Sequence, residues 1–167
     1  MKLTILTTGG TIDKTYDEFQ GSLRNQHTVI DVILDSLRIP DLAITHVEVM
    51  HKDSLDMTEE DREIIANAVC DAAPTTDGIV ILHGTDTLSK TGELLVERCD
   101  GLEIPVILTG AMRPYEFRDT DALQNVTEAL LASRMVGTGV YVSMHNRVLQ
   151  LPGVVKDRKA LTFVRST

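Results

Sequence analysis

The sequence predicts an α/β fold: a single domain built on a doubly wound, mostly parallel sheet covered by helices on both faces. Five short apolar runs alternate with four amphipathic segments along the chain. The runs are near-continuously apolar rather than alternating, as strands buried on both faces must be. Composition agrees. Aromatics make up 4% of the chain, with no Trp, three Tyr and three Phe, so the core must be built from Ile, Val, Leu and Ala. A chain of 167 residues that is 43% apolar is one domain's worth. Folding at this size buries roughly 70% of the unfolded surface, so no disulfide or metal staple is required.

The first strand reads from Leu3, Ile5 and Leu6, and a polar stretch over residues 13–27 follows it. Val29, Ile30, Ile33, Leu34 and Leu37 then repeat at helical spacing, with Thr28 and Asp31 placed as a cap and Pro40 as the stop. Residues 44–50 read as a strand. Thr58 with Asp61 three residues on opens a second helix, which carries Ile64, Ile65, Ala68 and Val69 on one face. Residues 78–82 are a wholly apolar strand, 87–99 a helix, 104–108 a fourth strand and 119–135 a longer helix. The strand 139–144 and a hairpin-like tail holding Pro152 and Gly153 complete the chain. Cys70 and Cys99 fall in helical segments without metal-type spacing and read as buried free thiols.

Charge excludes some functions. Sixteen Lys and Arg against 25 Asp and Glu give a net charge of −9, which repels a polyphosphate and supplies no counterion-release term, so nucleic acid is not an expected partner. No apolar run approaches the roughly 20 residues that span a bilayer. Lys2 leads into a strand-like LTILTT rather than a signal-peptide core. The expectation is a cytoplasmic protein with no membrane partner, no metal and no cofactor.

In such sheets ligands bind beyond the carboxyl ends of the strands. The segments there are TTGGTI at 7–12, KDSLDM at 52–57, HGTDT at 83–87 and TGAMRP at 109–114. They share glycines that admit a small ligand to the backbone, several hydroxyls, and one carboxylate, Asp86, suited to a cation or ammonium group. The first segment lacks both the G-x-G-x-x-G spacing and a Walker lysine, which argues against a phosphate cradle. KDSLDM also has a plain reading as a surface turn before Thr58. His83 and Asp86 have no further ligand at metal spacing, which favours a structural His83. A threonine near glycine usually satisfies its own hydroxyl locally. The set is more telling: Thr11 as a nucleophile needs a base, and Thr85 beside Asp86 can form a hydrogen-bonded unit with a lysine.

TGGTI at 8–12, HGTDTL at 83–88 and TGAMRP at 109–114 resemble, in order and spacing, the bacterial-type L-asparaginase family. The resemblance spans nearly the whole chain and matches the family's amino-terminal domain. It implies Thr11 as the primary nucleophile, Thr85 and Asp86 as the second threonine and the aspartate, and Lys156, eight residues beyond Leu149's neighbour Val148, as the catalytic lysine. The implied substrate site is Gly10, Asp53, Ser54, Thr85 and Asp86, with Ser54 on the α-carboxylate and Asp86 on the α-ammonium of L-asparagine. The implied chemistry is hydrolysis to L-aspartate and ammonia through an acyl-enzyme, with Lys156 as base or proton relay. Backbone N–H groups of residues 9–11 and around Thr85 would meet the oxyanion, an effect of about 3 kcal/mol for one such donor. DSLDMTEED resembles the family's cytoplasmic branch.

Two departures stand out. The family's loop tyrosine lies further from the nucleophile than Tyr16, which is five residues beyond Thr11. Tyr16 either fills the catalytic role from a shifted position or is a loop aromatic. The family's second domain, which supplies a carboxylate from a neighbouring subunit, would begin about where this chain ends at TFVRST. The chain is then a fragment or a naturally short member. The expectation is a short member, a single domain over 1–167 without the carboxy-terminal domain, that completes its site as a homo-oligomer, a dimer or tetramer. Leu55 replaces a position that is usually polar in the family's pocket. An amidase for glutamine or another amide, and a non-catalytic amino-acid-binding module, are the alternatives.

Overall fold

The five anticipated strands all form, and where their residues sit follows from the two-residue period of a strand. The computed structural model describes residues 1–166. In chain order the elements are β1 (Lys2–Gly9), β2 (Lys14–Asp17), β3 (Ser22–Asn25), α1 (Ile30–Asp35), β4 (Ala43–Lys52), α2 (Glu59–Ala72) and β5 (Ile79–Leu82). They continue with α3 (Leu88–Arg98), β6 (Pro105–Thr109), α4 (Ala122–Met135), β7 (Gly139–Met144), β8 (Arg147–Gln150), β9 (Val154–Asp157) and β10 (Thr162–Arg165). The main sheet runs β4-β1-β5-β6-β7-β8, parallel except for the antiparallel edge strand β8. β5 shows the double winding directly. Ile79 and Ile81 pack with Ile65 and Val69 of α2 and Leu88 and Leu95 of α3, whereas Val80 and Leu82 pack with Ile30 and Ile33 of α1 and Val126 and Leu130 of α4. Among the described residues no helix is long and apolar enough to cross a membrane.

Local signals succeeded where nothing distant competed. Thr58 forms its capping box: its hydroxyl accepts the Asp61 N–H at 3.3 Å and the Asp61 carboxylate accepts the Thr58 N–H at 2.9 Å. The cap read at Thr28 and Asp31 does not form. The buried Asp13 carboxylate takes both the Thr28 hydroxyl and the Val29 N–H at 3.0 Å, and α1 begins only at Ile30. The fourth helix starts at Ala122 rather than 119, because Asp119 pairs with Arg113 and the Asp121 carboxylate binds back to the Met112 and Arg113 N–H groups. Cys70 is exposed, not buried, while burial first and the neighbouring Cys70 second push the Cys99 thiol up to about 12. The polar stretch 13–27 folds as a hairpin of β2 and β3, and the tail as a second hairpin of β9 and β10.

Candidate active site

Strands β1, β4, β5 and β6 are parallel, so the segments that follow them emerge on one side of the sheet. Glycines bring these segments into backbone contact. Gly10 has φ +89°, and a Cβ there would overlap the backbone of Gly84. A Cβ on Gly84 would lie 2.6 Å from both Cβ and Oγ of Ser54, and one on Gly110 would overlap the His83 carbonyl. Only hydrogen at these positions lets the four segments close on one another. Thr11 and Ser54 are thereby set around the 84–86 turn, Ser54 fully buried and Thr11 half-buried at the start of a single 3-10 turn. Thr87 fixes Ser54 further, donating its hydroxyl to the Ser54 carbonyl at 2.7 Å.

The lysine arrives from the other end of the chain. Val154 and Phe163 bury the β9–β10 hairpin in the core, and Lys156 lies opposite Phe163 in its register. Its side chain is 13% exposed. From there Nζ donates to Thr85 Oγ1 at 2.7 Å and to Asp86 Oδ1 at 3.1 Å. A hydroxyl, an ammonium and a carboxylate in line form a path along which a proton can move. Arg158 also reaches Asp86 Oδ1, at 3.1 Å.

Asp53 is engaged by the chain itself. It accepts the Leu55 N–H at 3.1 Å and pairs with Lys14 at 2.5 Å. Burial pushes its carboxyl up, but Lys14, the Leu55 N–H and Lys156 outweigh burial and hold it below the ordinary carboxylate range. Tyr16 lies on the β2–β3 hairpin with 60% of its surface exposed; its backbone N–H, not its hydroxyl, is bound, to Glu116. A groove of about 630 Å³ lined by Lys14, Arg24, Asn25, His51 and Asp53 opens beside this hairpin.

His83 is structural. Nδ1–H donates to the Gly84 carbonyl at 2.8 Å, so Nε2 accepts from the Thr91 hydroxyl at 2.8 Å. Full burial lowers its pKa to about 4. Among the described residues no group of three or more His, Cys, Asp or Glu is placed to hold a metal ion.

Sequence reasoning missed three supporting residues. Asp13 is fully buried two residues beyond Thr11, its carboxyl pushed up by burial against the opposing Val29 and Thr28 hydrogen bonds. Asp121 gathers the Met112 and Arg113 N–H groups, the Asn125 amide at 2.8 Å and His145 at 2.8 Å. Lys14 was read only as part of a polar loop. Asp121 and Asn125, four apart at a helix start, were the one local signal available for any of these.

Comparison with known proteins gives the family. The family model described as "Asparaginase, N-terminal" matches residues 2–160. The L-asparaginase of Thermococcus kodakarensis is 37% identical over 153 residues, covering 89% of this chain and 45% of that protein. A probable periplasmic L-asparaginase of Haemophilus influenzae is 33% identical over 165 residues, covering 92% of this chain and 46% of that protein. The solved thermostable L-asparaginase from Thermococcus kodakarensis matches with a TM-score of 0.87 at 32% identity, over 99% of this chain and 51% of that one. The chain thus spans about half the length of the relatives it matches, and it belongs to the asparaginase family through that family's amino-terminal domain.

Proposed function

We propose that the protein hydrolyses the side-chain carboxamide of L-asparagine to L-aspartate and ammonia through an acyl-enzyme on Thr11. The observation that carries this reading is Lys156 Nζ at 2.7 Å from Thr85 Oγ1 and 3.1 Å from Asp86, beside a loop whose Gly10 is pressed on Gly84. Thr11 Oγ bonds to the amide carbon as its proton passes to Thr85, Thr85 gives its own to Lys156, and the Lys156 ammonium gives one to Asp86. The oxyanion is met by backbone N–H groups of residues 9–11 and near Thr85. Collapse breaks the C–N bond, and the proton returns to the departing nitrogen to give ammonia. Water then adds to the ester, delivers a proton along the same path, and releases Thr11 and aspartate.

Gly10, Asp53, Ser54, Thr85 and Asp86 hold the substrate in this reading, Ser54 at the α-carboxylate and Asp86 toward the α-ammonium. Tyr16, carried on the hairpin that leaves the nucleophile, covers Thr11 when substrate is bound. Residues 1–167 act as an asparaginase-like amino-terminal domain in a homo-oligomer, dimer or tetramer, where a second copy completes the site. A cytoplasmic setting belongs to the same reading, supported by the resemblance of DSLDMTEED to that branch, although one relative is named as periplasmic. Leu55, 66% exposed beside Ser54, favours as a second reading an amidase for glutamine or a larger amide. Ammonia release by the purified protein from asparagine and from glutamine tests both. Release from asparagine is expected; release from glutamine alone moves the substrate, and tight aspartate binding without turnover leaves a binding module.

A further inference from the structure

Three cations, Lys14, Lys156 and Arg158, pair with two carboxylates, Asp53 and Asp86. Arg158, unlike Lys156, has no part in the proton path, and unlike Lys14 it sits on Asp86. It lies two residues beyond Lys156, and its Nη1 meets the same oxygen, Asp86 Oδ1, at 3.1 Å as Lys156 does. Its side chain is 70% exposed, but its backbone is fixed. The Asp157 carboxylate accepts the N–H groups of Lys159 at 2.8 Å and Ala160 at 3.0 Å and so holds the turn from which Arg158 projects.

Asp86 is therefore doubly neutralised before any substrate arrives. An α-ammonium brought to it becomes a third cation on one carboxylate and competes with Arg158. A carboxamide without an ammonium group meets only the two existing cations, which attract it. We infer that Arg158 is a specificity-determining residue that weakens the hold of Asp86 on a free α-ammonium and so narrows the preference for L-asparagine over carboxamides of net negative charge, the class of succinamate. The inference rests on the amidase reading above and names its substrate class. Because the Arg158–Asp86 pair is exposed, its influence on each ligand is limited to about fivefold.

The test compares the full chain with Arg158→Ala, Arg158→Gln and Arg158→Lys. Ammonia release is followed from L-asparagine and from succinamate, with calorimetric binding of the products L-aspartate and succinate measured alongside. Removing the guanidinium should lower KM for asparagine and raise it for succinamate, with kcat for each little changed. The ratio of the two KM values should move by about tenfold, and lysine should restore it. An equal change for both amides, or none, overturns the inference while leaving the amidase reading standing. Ammonia from neither amide defeats the amidase reading itself. The aspartate-to-succinate binding ratio then still reports Arg158, and an unchanged ratio in the alanine and glutamine variants overturns the inference as well.

Discussion

The segments behind Thr11, Ser54 and Thr85 differ sharply from the β2–β3 hairpin that leaves the same loop. The former are locked together through Gly10 on Gly84 and Gly84 on Ser54; Thr11 and Thr85 follow strands buried along nearly their whole length, and Ser54, which follows the partly exposed edge strand β4, is itself buried by that contact. The hairpin is largely exposed and is held from outside by polar contacts, chiefly Lys14 to Asp53 at 2.5 Å and the Tyr16 N–H to Glu116 at 2.6 Å. Groups that must keep sub-ångström geometry are built on the rigid part. Groups that must admit and cover a ligand sit on the lightly held part.

Breaking the rigid part should have the largest effects. Lys156→Met and Thr85→Val each remove one end of the 2.7 Å contact and should lower kcat on the order of a thousandfold or more, with the thermal transition nearly unmoved. Gly10→Ala forces a Cβ into Gly84 at φ +89°. It should cost on the order of 3 kcal/mol as well as activity, which a urea titration separates from the previous pair.

His83 gives the same region a pH signature. Its folded pKa of about 4 lies below the unfolded value of 6.5, so the unfolded chain binds more protons between those limits. Stability is complete above pH 6.5 and falls as the pH drops toward 4, by on the order of 3 kcal/mol. His83→Gln should flatten that fall in urea midpoints taken from pH 7 to pH 4. Asp13 acts in the opposite sense. Its folded pKa is raised above 3.8, so the folded chain holds the extra proton and stability declines as pH rises through that window. Asp13→Asn should remove this decline.

The hairpin should respond in binding rather than stability. Lys14→Ala breaks a pair in which each side chain is about a quarter exposed; such pairs contribute about 1 kcal/mol or less. The melting point should barely move while KM rises. If Lys14→Ala instead unfolds the protein, the hairpin is a structural strap and the contrast between the two regions fails.

What could be read in the sequence tracks how local the determining contact is. The apolar strands and the Thr58 box depend on neighbours in sequence and form where they are expected, except that β4, at the sheet edge, is not buried on both faces. The cap shifts to Val29 because Asp13, well separated in sequence, takes the Val29 N–H and the Thr28 hydroxyl proton, while the Thr28 oxygen accepts the Ile30 N–H at 3.2 Å. The Lys14–Asp53 pair joins residues 39 apart and Arg158 reaches Asp86 across the whole second half of the chain; periodicity carries no trace of either. The short strands β2 and β3 escape such a reading because they are mostly polar and outside the main sheet, whereas the hairpin-like tail of β9 and β10 is legible. Lys156 could be placed only through the family resemblance. Its partners Thr85 and Asp86 lie about 70 residues earlier.

The central claim is that Thr11 carries the acyl group. Ammonia release from L-asparagine, measured side by side for the natural protein and Thr11→Ala at equal folded concentration, tests it most directly. Turnover is expected of the former and a fall to the uncatalysed background of the latter, with aspartate still bound by both. Undiminished release by Thr11→Ala would contradict it and move the nucleophile elsewhere in the site.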